Sequence, residues 1–204
     1  MTESEWLAST DPAAMLRHLV GDETHHAAAP HYGGHPGASA RKLRLFAVNW
    51  WRQATPHSRA HEVLAKTLED EANQPSLDRK VTATMLVWGT TLYTQPHMPG
   101  IGAALLREIV GNPFRPRNPY KSVHMVAMGS DHGSRLIPRE PGLTPTVLGL
   151  AQAAYDERAF DRLPILADAL EEAGCEDGGI LDHLRGPGPH VRGCWVVDLL
   201  LGKY

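Results

Sequence analysis

Along this chain apolar residues recur mostly three and four positions apart, the spacing that lines one face of a helix, and proline- and glycine-rich stretches separate the segments that show it. Thr2 and Glu5 match a capping box, in which a hydroxyl and a carboxylate each satisfy a backbone donor at a helix start, and Trp6 and Leu7 supply the apolar side. Thr10 or Asp11 caps the next helix, with Pro12 at its first position, where a missing N–H costs nothing. Met15, Leu16, Leu19 and Val20 then follow at helical spacing, and Gly21 ends the run. Residues 22–38 (DETHHAAAPHYGGHPGA) carry no apolar period and read as a loop. From Ser39 the string KLRLFAVNWWRQ predicts a helix with Leu43, Phe46, Ala47 and Trp50 on one face. A further helix is expected from about Pro56 to Asn73, turning Val63, Leu64, Thr67 and Leu68 inward. Another begins near Ser76 and carries Val81, Met85, Leu86, Trp88 and Leu92.

Pro96, Pro99 and Gly100 precede a helix, IGAALLREIV, that Gly111, Asn112 and Pro113 close. The stretch 112–144 reads as mostly irregular, with VHMVAM at 123–128 as one short strand, although so long a loop is unusual inside a domain. Thr144 then caps a helix with Pro145 first, running to about Glu157 through Val147, Leu148, Leu150, Ala151 and Ala154. A second runs from Asp161 through Leu163, Ile165, Leu166, Ala169 and Leu170 to Gly174, and Ile180, Leu181 and Leu184 mark a third. After GPGP at 186–189 a last helix is read in VRGCWVVDLLLG. Helices without alternating strands predict an all-α fold, a compact bundle or orthogonal stack of about seven to nine helices. The expected organisation is a single helical domain over 1–204, its N-terminal half (1–111) and C-terminal half (143–204) packed together.

A chain of 204 residues can bury about 70% of the surface its unfolded form exposes, so it needs neither disulfide nor metal to be stable. The net charge of −3 supplies no general field for nucleic acid, and the basic run Arg41, Lys42 and Arg44 is its one local exception. The opening residues carry Glu3, Glu5 and Asp11 with no apolar core of a signal peptide, and no window approaches a membrane span. With Cys175 and Cys194 the only cysteines, reduced thiols and a cytoplasmic location are expected.

Several strings taken together resemble an uncharacterised family of planctomycete-type bacteria. They are LLREIVGNPFRP at 105–116, LTPTVLGLAQAAYDERAFDRLPILADALEEAGC at 143–175 and ILDHLRGPGPHVRGCWVVDLLLGK at 180–203, with ESEWLASTDPAAMLRHL and RKLRLFAVNWWRQ nearer the start. The resemblance covers about two thirds of the chain and implies a shared fold without an established activity. It also implies paired cysteines where Trp50 and Trp51 stand here, so a thiol cluster expected at that place is missing. The loop at 22–38 and the segment 121–140 depart from the family pattern as well.

Chemistry is read first from Cys175, His183, His190 and Cys194, spaced C-x7-H-x6-H-x3-C. Two thiolates and two imidazoles suit tetrahedral zinc, and the final H-x3-C pair fits one helical turn, while the first gap matches no zinc motif. The plainer reading makes both thiols small buried hydrophobes and both histidines surface caps. Cys194, expected in the first turn of the last helix with His190 before it, could also be a reactive thiol, but Trp195, Val196 and Val197 beside it argue for burial. His25, His26, His31 and His35 could collect transition metals or be incidental to a loop. Asp131 and His132, between Ser130 and Ser134, look superficially like hydrolase residues, although a triad is built by the fold and not by adjacency. Arg115 and Arg117, with Arg185 and Arg192, could form an anion-binding surface, against which stands pairing with Asp161, Glu171 or Asp182. Trp50 and Trp51 cannot both face inward from one helix, since neighbours differ by about 100°, so one covers another element or contacts a partner.

No phosphate-binding loop, dinucleotide fingerprint or zinc-protease signature occurs. The biochemical function is therefore unknown from sequence, and the balance is against an enzyme. The preferred reading is a non-catalytic helical module that binds a protein partner or itself, with Trp50, Trp51, Arg115 and Arg117 as contact candidates and no cofactor required. The alternative is a zinc protein, with hydrolase activity in view, using the C-terminal Cys/His set.

Overall fold

The computed structural model describes residues 1–20, 38–54, 59–71, 99–114 and 143–203, and every regular element among them is helical. The readings of the histidine-rich loop, the helix from Ser76, the strand at 123–128, the Ser130 to Ser134 group, and Arg115 and Arg117 fall outside the described residues. The helices are α1 (Glu3–Ala8), α2 (Pro12–Val20), α3 (Ala40–Ala54), α4 (Arg59–Glu71), α5 (Pro99–Val110), α6 (Pro145–Glu157), α7 (Leu163–Glu172), α8 (Gly178–Arg185) and α9 (Trp195–Leu200). A 3-10 turn, Phe160–Arg162, leads into α7. Among the described residues the all-α expectation and its seven to nine helices hold. No helix among the described residues is long and apolar enough to cross a membrane.

The chain divides into two units. The first comprises Met1–Pro116 together with Gly188–Trp195, and the second comprises Arg117–Pro187 together with Val196–Lys203. A short piece of the C-terminal sequence therefore belongs to the N-terminal unit.

In the first unit the helix starts are those the sequence predicts. The Thr2 hydroxyl accepts from the Glu5 amide while Glu5 Oε2 accepts from the Thr2 amide at 2.7 Å. Asp11, and not Thr10, caps α2, its Oδ1 accepting from Ala13 and Ala14. The core gathers Trp6, Met15, Leu16 and Leu19 with Leu43, Leu45, Phe46 and Trp50 of α3 and Leu105, Leu106, Ile109 and Val110 of α5. Helix α3 packs on both α4 and α5, and α2 packs on α5.

Burial on α3 extends well past the expected stripe, reaching Arg41, Lys42 and Asn49. The basic run is therefore no surface patch, and Lys42 Nζ donates to the Gly193 carbonyl at 2.8 Å. Trp50 is buried and stacked on Phe46, while Trp51 is half-buried, so Trp50 is a core residue and not an exposed contact. Helix α4 corrects the sequence reading: Val63 is 62% exposed and Thr67 also faces outward, whereas Ala65 and Glu69 are buried. The Glu69 carboxylate, which pairs with Arg52 and with Arg192, lies on the inward face of this helix with Ala65.

In the second unit Thr144 caps α6, its hydroxyl accepting from the Val147 amide, with Pro145 first. Helix α7 packs between α6 and α8, burying Val147, Ala151, Leu163, Leu166, Leu170, Ile180 and Leu184. Ile165, expected inside, is exposed. Helix α9 is shorter than the sequence suggests, because its first residue is Trp195. Gly149 lies on the exposed side of α6, and a Cβ there would meet nothing within 4 Å. Gly149→Ala is expected to raise the free energy of unfolding by about 0.8–1 kcal/mol, the helix-propensity difference between the two residues. Urea denaturation checks it, and an unchanged midpoint would count against an interior helical position.

Candidate metal centre

Segment 188–195 joins the first unit through polar contacts to three of its helices. Lys42 and Asn49 of α3 donate to the carbonyls of Gly193 and Arg192. Arg192 itself donates to Asp70 at the end of α4 at 2.7 Å and lies 3.7 Å from Glu69. Helix α5 supplies Glu108, a carboxylate only 3% exposed. Its Oε2 lies 3.2 Å from His190 Nδ1, and its Oε1 accepts from the Val191 amide at 3.4 Å. Burying a carboxylate is costly unless its lone pairs are satisfied, and both contacts come from the same short segment.

Gly193 explains how that segment reaches so close. Its φ of +106° suits glycine, and a Cβ there would stand 2.9 Å from Leu45 Cδ1. The next residue, Cys194, is 1% exposed and its amide donates to the Val191 carbonyl. This turn brings the Cys194 thiol beside His190 and Glu108, so that one ligand atom of each lies within 4.8 Å of the others. A tetrahedral zinc with bonds of about 2.0–2.3 Å holds its ligands somewhat closer than this, a closure within reach of side-chain rotation.

The sequence-predicted ligand set is thus brought together in part. His190 and Cys194 meet, and Glu108 joins them. Cys175 is not in that group. It sits in the second unit, where its amide donates to the Leu170 carbonyl and closes the end of α7, its side chain buried. His183 is carried by α8 of the second unit. Cys194 immediately precedes α9 and does not lie in its first turn, and at 1% exposed it is buried, as the neighbouring Trp195, Val196 and Val197 suggest.

Glu108 carried a faint signal that sequence reasoning missed. It is the one acid in IGAALLREIV, between Leu105, Leu106 and Ile109, Val110. Arg107 beside it donates to the carbonyls of Trp6 and Ser9. Burial also pulls the Arg107 guanidinium below its ordinary range.

The anion-binding reading of Arg185 and Arg192 does not hold. Arg185 donates to Asp168 and Glu171, which push its pKa up, and Arg192 pairs with Asp70 and Glu69. Both guanidinium groups face carboxylates of neighbouring helices, and only Glu171 was among the expected partners. No protein-family model, curated protein or solved structure matches this chain.

Proposed function

We propose that the first unit binds zinc on Glu108, His190 and Cys194, and that the chain is a non-catalytic helical accessory module built around that ion. The observation that supports this reading is the meeting of a thiol, an imidazole and a carboxylate within 4.8 Å. A thiol among the ligands disfavours magnesium and calcium, which take oxygen, and suits zinc, which takes sulfur, nitrogen and oxygen alike. Glu108 serves such an ion either directly or by orienting the His190 ring, a carboxylate–histidine pairing common behind zinc. Burial of Glu108 and Cys194 favours a structural ion over a hydrolytic one, because a substrate would have to reach them. A cytoplasmic setting, where Cys194 stays reduced, and a protein partner or self-association belong to the same reading. So does the resemblance of the C-terminal strings to an uncharacterised bacterial family, which brings no activity with it.

The test is elemental analysis and zinc titration of protein purified without chelators. The wild type and Cys175→Ser are expected to hold one zinc per chain. Cys194→Ser, His190→Asn and Glu108→Gln should each weaken binding by about 100-fold or more, at or beyond the cost of losing a supporting residue. His183→Asn, measured alongside, reads whether a histidine of the second unit contributes. Zinc absent from the wild type, or bound as tightly by Cys194→Ser, would sink the proposal.

A further inference from the structure

We infer that zinc at this centre acts as a latch, setting how firmly segment 188–195 stays docked on the first unit. The inference rests on the metal reading above and adds a consequence to it. Two of the three ligands, His190 and Cys194, lie on the segment, and the third, Glu108, lies on α5. An ion held by all three ties the segment to a helix, and it can do so only while the segment is docked.

Without the ion the docked state depends on contacts that are mostly polar. They include the two bonds to Glu108, the Lys42 and Asn49 bonds to carbonyls, and the pairing of Arg192 with Asp70 and Glu69. Its apolar contacts with the first unit are few: the partly buried Val191, the buried Cys194 and the Trp195 ring close to Gly111. No helix spans the segment before Trp195, and Gly188 and Gly193 both adopt positive φ. Segments with few buried apolar contacts open locally at low free energy, well below global unfolding. A ligand that binds only the closed form reduces the opened population in proportion to its concentration above the dissociation constant, about 100-fold at 100 times that constant.

The residues on either side of the segment, up to Pro187 and from Val196 onward, belong to the second unit. The latch therefore holds the stretch by which the chain rejoins the first unit.

Hydrogen exchange of the full-length wild type, followed by mass spectrometry on a peptide covering 188–195, tests this in buffered free Zn²⁺, with native mass spectrometry of the same samples counting bound metal. Exchange in that peptide is expected to slow in proportion to free Zn²⁺ above the dissociation constant, about 100-fold at 100 times that constant, with no response to Mg²⁺ and none in a peptide from α7. Lys42→Met, which removes a metal-independent hold, should speed exchange by a similar factor in the metal-free and the zinc-bound protein, since the lysine and the ion contribute independently. Zinc bound with unchanged exchange overturns the latch and leaves the metal site standing. No zinc bound removes both. Neither result depends on a variant that might fail to fold.

Discussion

Trp6→Ala is expected to lower the free energy of unfolding by about 3–5 kcal/mol, the range for removing a fully buried large aromatic. Helix α1 has six residues, far too few to be stable alone. Its place in the fold rests on the Trp6 side chain, 0% exposed in the core of the first unit, and on Arg107, which donates to the Trp6 carbonyl. Truncation opens a cavity among Met15, Leu16 and Leu19 and their neighbours while leaving the capping box intact. Urea denaturation should show the midpoint falling at an unchanged m-value. Leu7→Ala, one position along and 53% exposed, should change stability by no more than about 0.5 kcal/mol. Trp6→Phe should recover much of the loss, since the indole N–H it removes has no hydrogen-bond partner among the described residues. A loss below about 1 kcal/mol for the alanine variant would mean that α1 contributes little to the core.

Gly193→Ala is the second large effect, a loss of about 3 kcal/mol from one added methyl group. Two independent costs combine. A φ of +106° is a conformation that residues with a Cβ rarely adopt, and the added carbon would meet Leu45 at 2.9 Å in a buried setting. Backbone strain of this kind costs about 1–3 kcal/mol, and overpacking a core costs a similar amount. The variant should also lose zinc affinity, because Gly193 sits between His190 and Cys194 and sets the turn that joins them. Denaturation and zinc titration on the same sample separate the two readouts. Gly202→Ala is the control, a glycine with positive φ but open space around its Cβ, and it should show the conformational cost alone. Equal losses in the two variants would mean that the contact with Leu45 is relieved at no cost.

Both residues show how far a sequence carries. The helical period and its punctuation were legible in the first five residues and again at Thr144 and Pro145, because capping is local chemistry between residues at most three apart. The burial of Glu69 on α4 was not legible. Glu69 is buried there by Arg52, seventeen positions earlier in sequence, and by Arg192, and no pattern within the helix reveals such partners. The candidate site divides along the same line. His190 and Cys194 stand close in sequence and were paired by spacing, whereas Glu108 joins them from 82 residues away. Cys175 was drawn in by residue type, although its position closes a helix end.

The Lys42–Gly193 contact spans 151 positions, and that separation reaches beyond stability. Synthesis runs from the N-terminus, and domains commonly fold in that order as the chain emerges. Here the first unit lacks one of its own pieces until residues 188–195 have been made. Lys42, Glu69 and Glu108 must await their partners at 190–193 while the intervening residues are translated. The first unit is thus completed only after the greater part of the second has been made.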